Sequence, residues 1–137
     1  MSGSTASCDT SVLVAGLCTW HPRHELARSL LQTRVRSIPA HVALETYSVL
    51  TRLPAPHRIT PTVAGSALSA LRLHITTPPP GAGRDLIEEL AVAGICGGAV
   101  YDALVGVTCR TNGHLLLTAD QRARLTYDAL GVRYEVV

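Results

Sequence analysis

The sequence predicts an α/β fold built on a mainly parallel sheet with helices on both faces. Two observations carry this. Short apolar runs alternate with stretches of helical periodicity along the whole chain, and strands that alternate with helices pair in parallel through crossovers. The run at 114–117 is apolar almost throughout instead of alternating, as expected of a strand buried on both faces. A length of 137 residues suits a single domain, and 47% apolar against 16% charged residues argues for a packed core over disorder.

The elements follow in order. Thr5–Cys8 reads as a short first strand, polar for a buried position. Asp9-Thr10-Ser11 is a helix start, because side-chain oxygens there accept orphan backbone N–H groups. The helix covers 11–17, and a second helical piece covers 22–31. Val35–Pro39 is a strand. Ala40–Leu53 is a helix with Val42, Leu44, Val49, Leu50 and Leu53 on its apolar side, ended by the turn Pro54-Ala55-Pro56. Thr60-Pro61 opens another helix, since Pro suits the first helical position; it runs to about Leu71. A short strand at 73–76 precedes the loop TPPPGAG at 77–83, whose partial G-x-G-x-x-G lacks both the last glycine and a leading strand, so no dinucleotide site is expected there. Helices at 84–92 and 99–109, a strand at 114–117, a helix at 119–130 closed by Gly131, and a strand at 132–137 complete the chain.

Composition excludes several chemistries. All 12 basic residues are Arg, and neither Lys nor Phe occurs. A Walker P-loop and a Schiff-base enzyme both need a lysine, as do receivers and haloacid-dehalogenase-type phosphatases. A net charge of +2 does not mark a nucleic-acid binder by itself. No apolar run approaches the roughly 18 residues of a membrane span. The Ser-rich, polar residues 1–8 lack the features of a signal peptide, so a cytoplasmic location is expected. Cys8, Cys18, Cys96 and Cys109 form no zinc pattern and are expected as free thiols.

Of ten acidic residues, Glu25, Asp85, Glu88, Glu89, Asp128 and Glu135 fit solvated faces or caps. Four do not. Asp102 is the only charge between Cys96 and Cys109, and its helical neighbours Gly98, Ala99, Val105 and Gly106 are small and apolar. An ionised carboxylate in such surroundings needs a cation partner or a proton. Glu45 is the only charge in its helix before Arg52; Asp9 and Asp120 lie just beyond two strands, where a plain helix cap is the competing explanation. Ligands of parallel sheets bind beyond the carboxyl ends of the strands, and the early turns of the helices carrying Glu45 and Asp102 can face that edge. Carboxylates gathered there would repel unless a hard divalent cation such as Mg²⁺ or Mn²⁺ held them together, the apparatus of metal-assisted phosphodiester hydrolysis. The six histidines are scattered, and His41, one turn before Glu45, reads first as a surface residue, with support of the Glu45 carboxylate as the alternative. Arg52, Arg110 and Arg122 lie near these motifs as candidates for tracking phosphates. No base-stacking aromatic motif is visible, and Trp20 and the four tyrosines read as core as readily as contacts to RNA bases.

Five stretches also carry a resemblance: Cys8-Asp9-Thr-Ser-Val-Leu-Val-Ala15, Leu44-Glu45-Thr-Tyr-Ser-Val-Leu-Thr-Arg-Leu-Pro54, Gly97-Gly98-Ala-Val-Tyr-Asp102-Ala-Leu104, Leu115-Leu-Leu-Thr-Ala-Asp120 and Leu130-Gly-Val132. In order and spacing the chain resembles PIN-domain nucleases, and among them the VapC toxins of bacterial toxin–antitoxin pairs. It departs from them in the polar first strand and in Cys96, where Arg often precedes the glycine pair. The resemblance implies a three-layer α/β/α PIN domain spanning 1–137. It places the acidic quartet on Asp9, Glu45, Asp102 and Asp120, with Ser11 and Thr118 in the hydroxyl slots beside them. It implies a Mg²⁺- or Mn²⁺-dependent endoribonuclease acting on cellular RNA, a homodimer, and a VapB-type antitoxin that blocks the site. The competing expectation is a binding module of the same fold that works through complex formation with little hydrolysis; a DNA-directed nuclease would use the same chemistry.

Overall fold

The computed structural model describes residues 5–137; the part of the polar N-terminal segment at 1–4 lies outside the described residues. In chain order the elements are β1 (Ala6–Cys8), α1 (Thr10–Leu17), α2 (His24–Thr33), β2 (Val35–Pro39), α3 (Ala40–Arg52), α4 (Pro61–Ala70) and β3 (His74–Thr76). There follow α5 (Ala82–Ala93), α6 (Ala99–Thr111), β4 (Leu115–Thr118), a 3₁₀ turn (Gln121–Ala123), α7 (Arg124–Ala129) and β5 (Tyr134–Val136). No helix among them is long and apolar enough to cross a membrane.

The five strands form one parallel sheet in the order β3-β2-β1-β4-β5, within a three-layer α/β/α arrangement. Ala6 pairs with Val35 on one side and Leu115 on the other, and Cys8 pairs with Leu117. Strand β1 is buried along its whole length, and its neighbours contribute Val35, Ile38, Leu116 and Leu117 to the main core. A smaller cluster of Cys18, Leu50 and Ala64 seats α4 against α1 and α3. Cys8, Cys18 and Cys109 are buried free thiols and Cys96 is exposed.

This order has a functional consequence. The chain runs outward from β1 through β2 to β3, then returns to the far side of β1 to lay down β4 and β5. The order therefore reverses between β1 and β4, and the crevice beyond their carboxyl ends is the topological switch point where such sheets bind ligands.

Several boundaries differ from the sequence reading. Helix α2 starts at His24 because Pro22 and Arg23 belong to a turn tied by the His21 ring, whose Nδ1 accepts the Arg23 N–H at 3.0 Å. The single helix expected at 119–130 is divided. The Asp120 side chain accepts the Arg122 N–H at 2.9 Å, which caps a 3₁₀ turn before α7 begins. The last strand shrinks to Tyr134–Val136. Trp20 is not core: it is 46% exposed and stacks on His57 with ring centroids 4.3 Å apart.

Candidate metal centre

Asp9 is the immediate consequence of ending β1 and starting α1 within one residue. Its extended backbone leaves the side chain free to cap α1, and Oδ1 accepts the Ser11 N–H at 3.1 Å. The plain-cap explanation therefore holds in part. It does not account for the rest of the carboxylate. Oδ1 also accepts the Ser11 hydroxyl, and Oδ2 accepts the hydroxyls of Thr118 and, at 3.1 Å, Tyr127. Ser11 and Thr118 in turn clasp the chain leaving β4: the Ala119 N–H donates to Ser11 Oγ at 2.9 Å and the Asp120 N–H to Thr118 Oγ1 at 3.0 Å. One buried carboxylate thus knots the carboxyl ends of β1 and β4 together. Burial raises the Asp9 carboxyl above its ordinary range, and the hydroxyls around it pull the other way.

Tyr127 was not among the residues the sequence singled out. It is fully buried on α7, and burial followed by the Asp9 charge pushes its phenol far up, so it remains a donor. Nothing local marks it; its role exists only because α7 folds back over the ends of β1 and β4.

Asp102 sits in the first turn of α6, the positive end of a helix dipole, which favours a negative charge. Helix α6 precedes β4 and antiparallel to it places this turn at the carboxyl edge of the sheet. Burial, then the carboxylates of Asp120, Asp9 and Glu45, push the Asp102 carboxyl up to about 6, while His41 draws it down. Segments far apart in the chain thus bring three other carboxylates and one imidazole close enough to act on Asp102. Glu45 lies in α3 directly after β2, and its Oε2 is 3.5 Å from Nε2 of His41. His41 is not the surface residue expected: it is half-buried and stacks parallel to Tyr101, next to Asp102, with centroids 5.4 Å apart.

The cluster is open. Among the described residues no three His, Cys, Asp or Glu side chains stand close enough together to hold a metal by direct bonds alone. Its chemistry nevertheless suits Mg²⁺, which takes one or two carboxylates directly and keeps several waters. One buried polar atom without a hydrogen-bond partner belongs to it: His41 Nε2, which has only the longer 3.5 Å approach of Glu45 Oε2. Such an orphan marks a place for water or an ion.

The three candidate phosphate-tracking arginines separate. Arg122 lies two residues after Asp120, donates its backbone N–H to that carboxylate and is exposed. Arg52, in the last turn of α3, donates to Ser48 Oγ at 2.9 Å. Arg110 is at the far end of α6 from Asp102. There it grips Glu89 through both carboxylate oxygens, at 3.0 and 2.8 Å, and donates to the Leu130 carbonyl at 2.5 Å. It pins α5 and α7 to α6 and stands away from the crevice.

Comparison with known proteins agrees with this architecture. The PIN domain family model matches residues 7–128. The chain is 48% identical over 130 residues to Ribonuclease VapC40 of two strains of Mycobacterium tuberculosis, covering 94% of this chain and 96% of that protein. It is 36% identical over 128 residues to Ribonuclease VapC27 of the same species, covering 93% of each. The crystal structure of PAE2754 from Pyrobaculum aerophilum superposes with a TM-score of 0.62 at 16% identity, over 92% of this chain and 88% of that one, which speaks to fold alone. A family match across most of the sequence, close relatives aligned nearly end to end, and a sheet whose switch point carries the acidic cluster make this chain a member of the PIN-domain family and, within it, of the VapC ribonucleases.

Proposed function

We propose that the chain is the toxin of a toxin–antitoxin pair, an endoribonuclease that hydrolyses phosphodiester bonds of cellular RNA with Mg²⁺ or Mn²⁺ at the carboxylate crevice. The observation that supports it is Asp102, a half-buried carboxyl pushed up to about 6 by burial and by carboxylates from three other segments. Such an arrangement is costly until a cation enters it. Asp9, Glu45 and Asp102 would hold the ion, and Asp120 would do so directly or through water. When bound, the ion supplies an activated water and offsets charge on the phosphate oxygens.

The rest is done by the chain's own groups. Ser11, Thr118 and Tyr127 hold both oxygens of Asp9 in a fixed direction. His41 restrains Glu45 from one side while Tyr101 fixes the imidazole ring. The exposed Arg122, whose backbone N–H donates to Asp120, would meet a phosphate. A VapB-type antitoxin belongs to the same reading, on the strength of the relatives' VapC names, and a homodimer belongs to it as the family resemblance implies.

The decisive variant is Asp102→Asn, which keeps the shape and removes the charge. RNA cleavage in Mg²⁺ is expected to fall by more than the roughly 10–100-fold lost when only a residue supporting a metal ligand is removed. Cleavage that survives the change contradicts the mechanism, and a DNA substrate assayed in parallel decides between the two polymers. The open spacing of the carboxylates favours one alternative, a binding module with little hydrolysis. Thermal stabilisation by millimolar Mn²⁺ separates the two, since a ligand that binds only the folded state raises its stability.

A further inference from the structure

A second polar feature lies at the opposite edge of the sheet, where the strands begin. Helix α1 ends there at Leu17, β2 starts there at Val35, and β3 is entered there through Arg72 and Leu73. Between these segments is an open groove of about 520 Å³, within the size range of small-ligand sites. Leu17, Leu31, Val35, Leu71 and Leu73 give it an apolar floor, and Arg28, Arg36 and Arg72 stand around it with no acidic residue in its lining.

The arginines are not occupied as Arg34 and Arg110 are. Those two make bidentate pairs with Glu135 and Glu89. Arg36 reaches only the carbonyls of Val35 and Thr33, both at 3.2 Å. The side chains of Arg28 and Arg72 make no hydrogen bond or ion pair to any described residue. Arg72 also has a φ of 52°, the only positive value at a non-glycine position among the described residues. It occupies the left-handed position after α4, where glycine is the unstrained choice, and it brings a guanidinium to the groove at a conformational cost. Strain of this kind collects at ligand sites.

We propose that this groove is an anion site that takes a nucleotide phosphate, with the attached nucleoside on the apolar floor. Unpaired guanidinium forks match the geometry of phosphate oxygens. The acidic crevice repels RNA, so a polyanion bound by this chain needs positive charge elsewhere on the surface. The ligand's chemistry follows from the groove alone; that it forms part of a longer RNA rests on the nuclease reading.

The test uses the full chain carrying Asp102→Asn to prevent cleavage, in EDTA to keep divalent ions from the crevice. A fluorescein-labelled single-stranded oligoribonucleotide, adenosine monophosphate and a hexaglutamate peptide are titrated separately. Arg28→Ala and Arg72→Gly are each expected to weaken nucleotide or oligonucleotide binding about tenfold, the loss of one charge-assisted contact. Arg72→Gly is expected to keep or raise the Tm, because it relieves the left-handed strain. Binding of the monophosphate identifies a free nucleotide as sufficient, and binding of the oligonucleotide alone identifies a chain; both support the site. Unchanged affinity in both variants overturns it. So does a lowered Tm in Arg72→Gly, which makes the residue structural, or sensitivity confined to the acidic peptide. RNA cleavage by the otherwise wild-type chain is scored separately, so loss of this site leaves the assignment of the carboxylates untouched.

Discussion

Asp9 accepts four hydrogen bonds and is almost completely buried, so the groups around it decide whether it serves as a ligand or merely as a cap. Tyr127→Phe removes one donor and keeps the ring packing. It is expected to cost about 1 kcal/mol in urea denaturation and to lower RNA cleavage through a misdirected Asp9. Thr118→Val also strands the Asp120 N–H and is expected to cost about 1–3 kcal/mol. The pH dependence follows from Asp102. Its carboxyl titrates near 6 when folded and near 4 in the unfolded chain. Between those values the folded state holds more protons, so metal-free stability falls as pH rises through that window. Burial moves Asp9 in the same direction. In calorimetry with EDTA, Asp102→Asn is therefore expected to melt higher than wild type at pH 7, with the difference vanishing near pH 4. A variant that melts lower at pH 7 contradicts the electrostatic account.

Among the elements, α6 and α7 set the site by how closely they approach. A Cβ on Gly106 would stand 2.9 Å from Val132 Cγ2 and 3.0 Å from Tyr127 Cδ1. Gly106→Ala is expected to cost about 1–3 kcal/mol, as overpacking does, and to shift Tyr127 away from Asp9, read as reduced cleavage by the folded variant. This contact also marks what a sequence can and cannot show. The helix 99–109 and the isolated charge of Asp102 are visible because apolar periodicity and a missing charge partner are local properties. Strand β1 is visible only as a weak, polar run, although Ser7 is fully buried at the centre of the sheet, because pairing on both sides replaces apolar content. Tyr127 and His41 owe their positions to chain segments far away: α7 folding over β1, and α3 packing beside α6. Proximity in sequence groups Arg110 with the phosphate contacts, but eight residues along a helix carry it to the other edge of the sheet. The split of α7 from its 3₁₀ turn comes from Asp120 capping Arg122, a local bond that periodicity does not register.

Over the whole molecule, a net charge of +2 conceals a separation. The carboxyl edge of the sheet collects Asp9, Glu45, Asp102 and Asp120, and the amino edge presents Arg28, Arg36 and Arg72. Millimolar Mn²⁺ is expected to raise the Tm of the intact chain, more at pH 7 than at pH 5 because protons compete for the same oxygens. RNA binding is expected to weaken steeply with salt. The central claim is that this crevice is a divalent-metal site. Anomalous diffraction from a crystal soaked in Mn²⁺ tests it most directly. A peak bonded to Asp9 or Asp102, with the other carboxylates turned toward it, is the predicted result; a crevice without a peak, while Mn²⁺ is bound elsewhere on the protein, would contradict it.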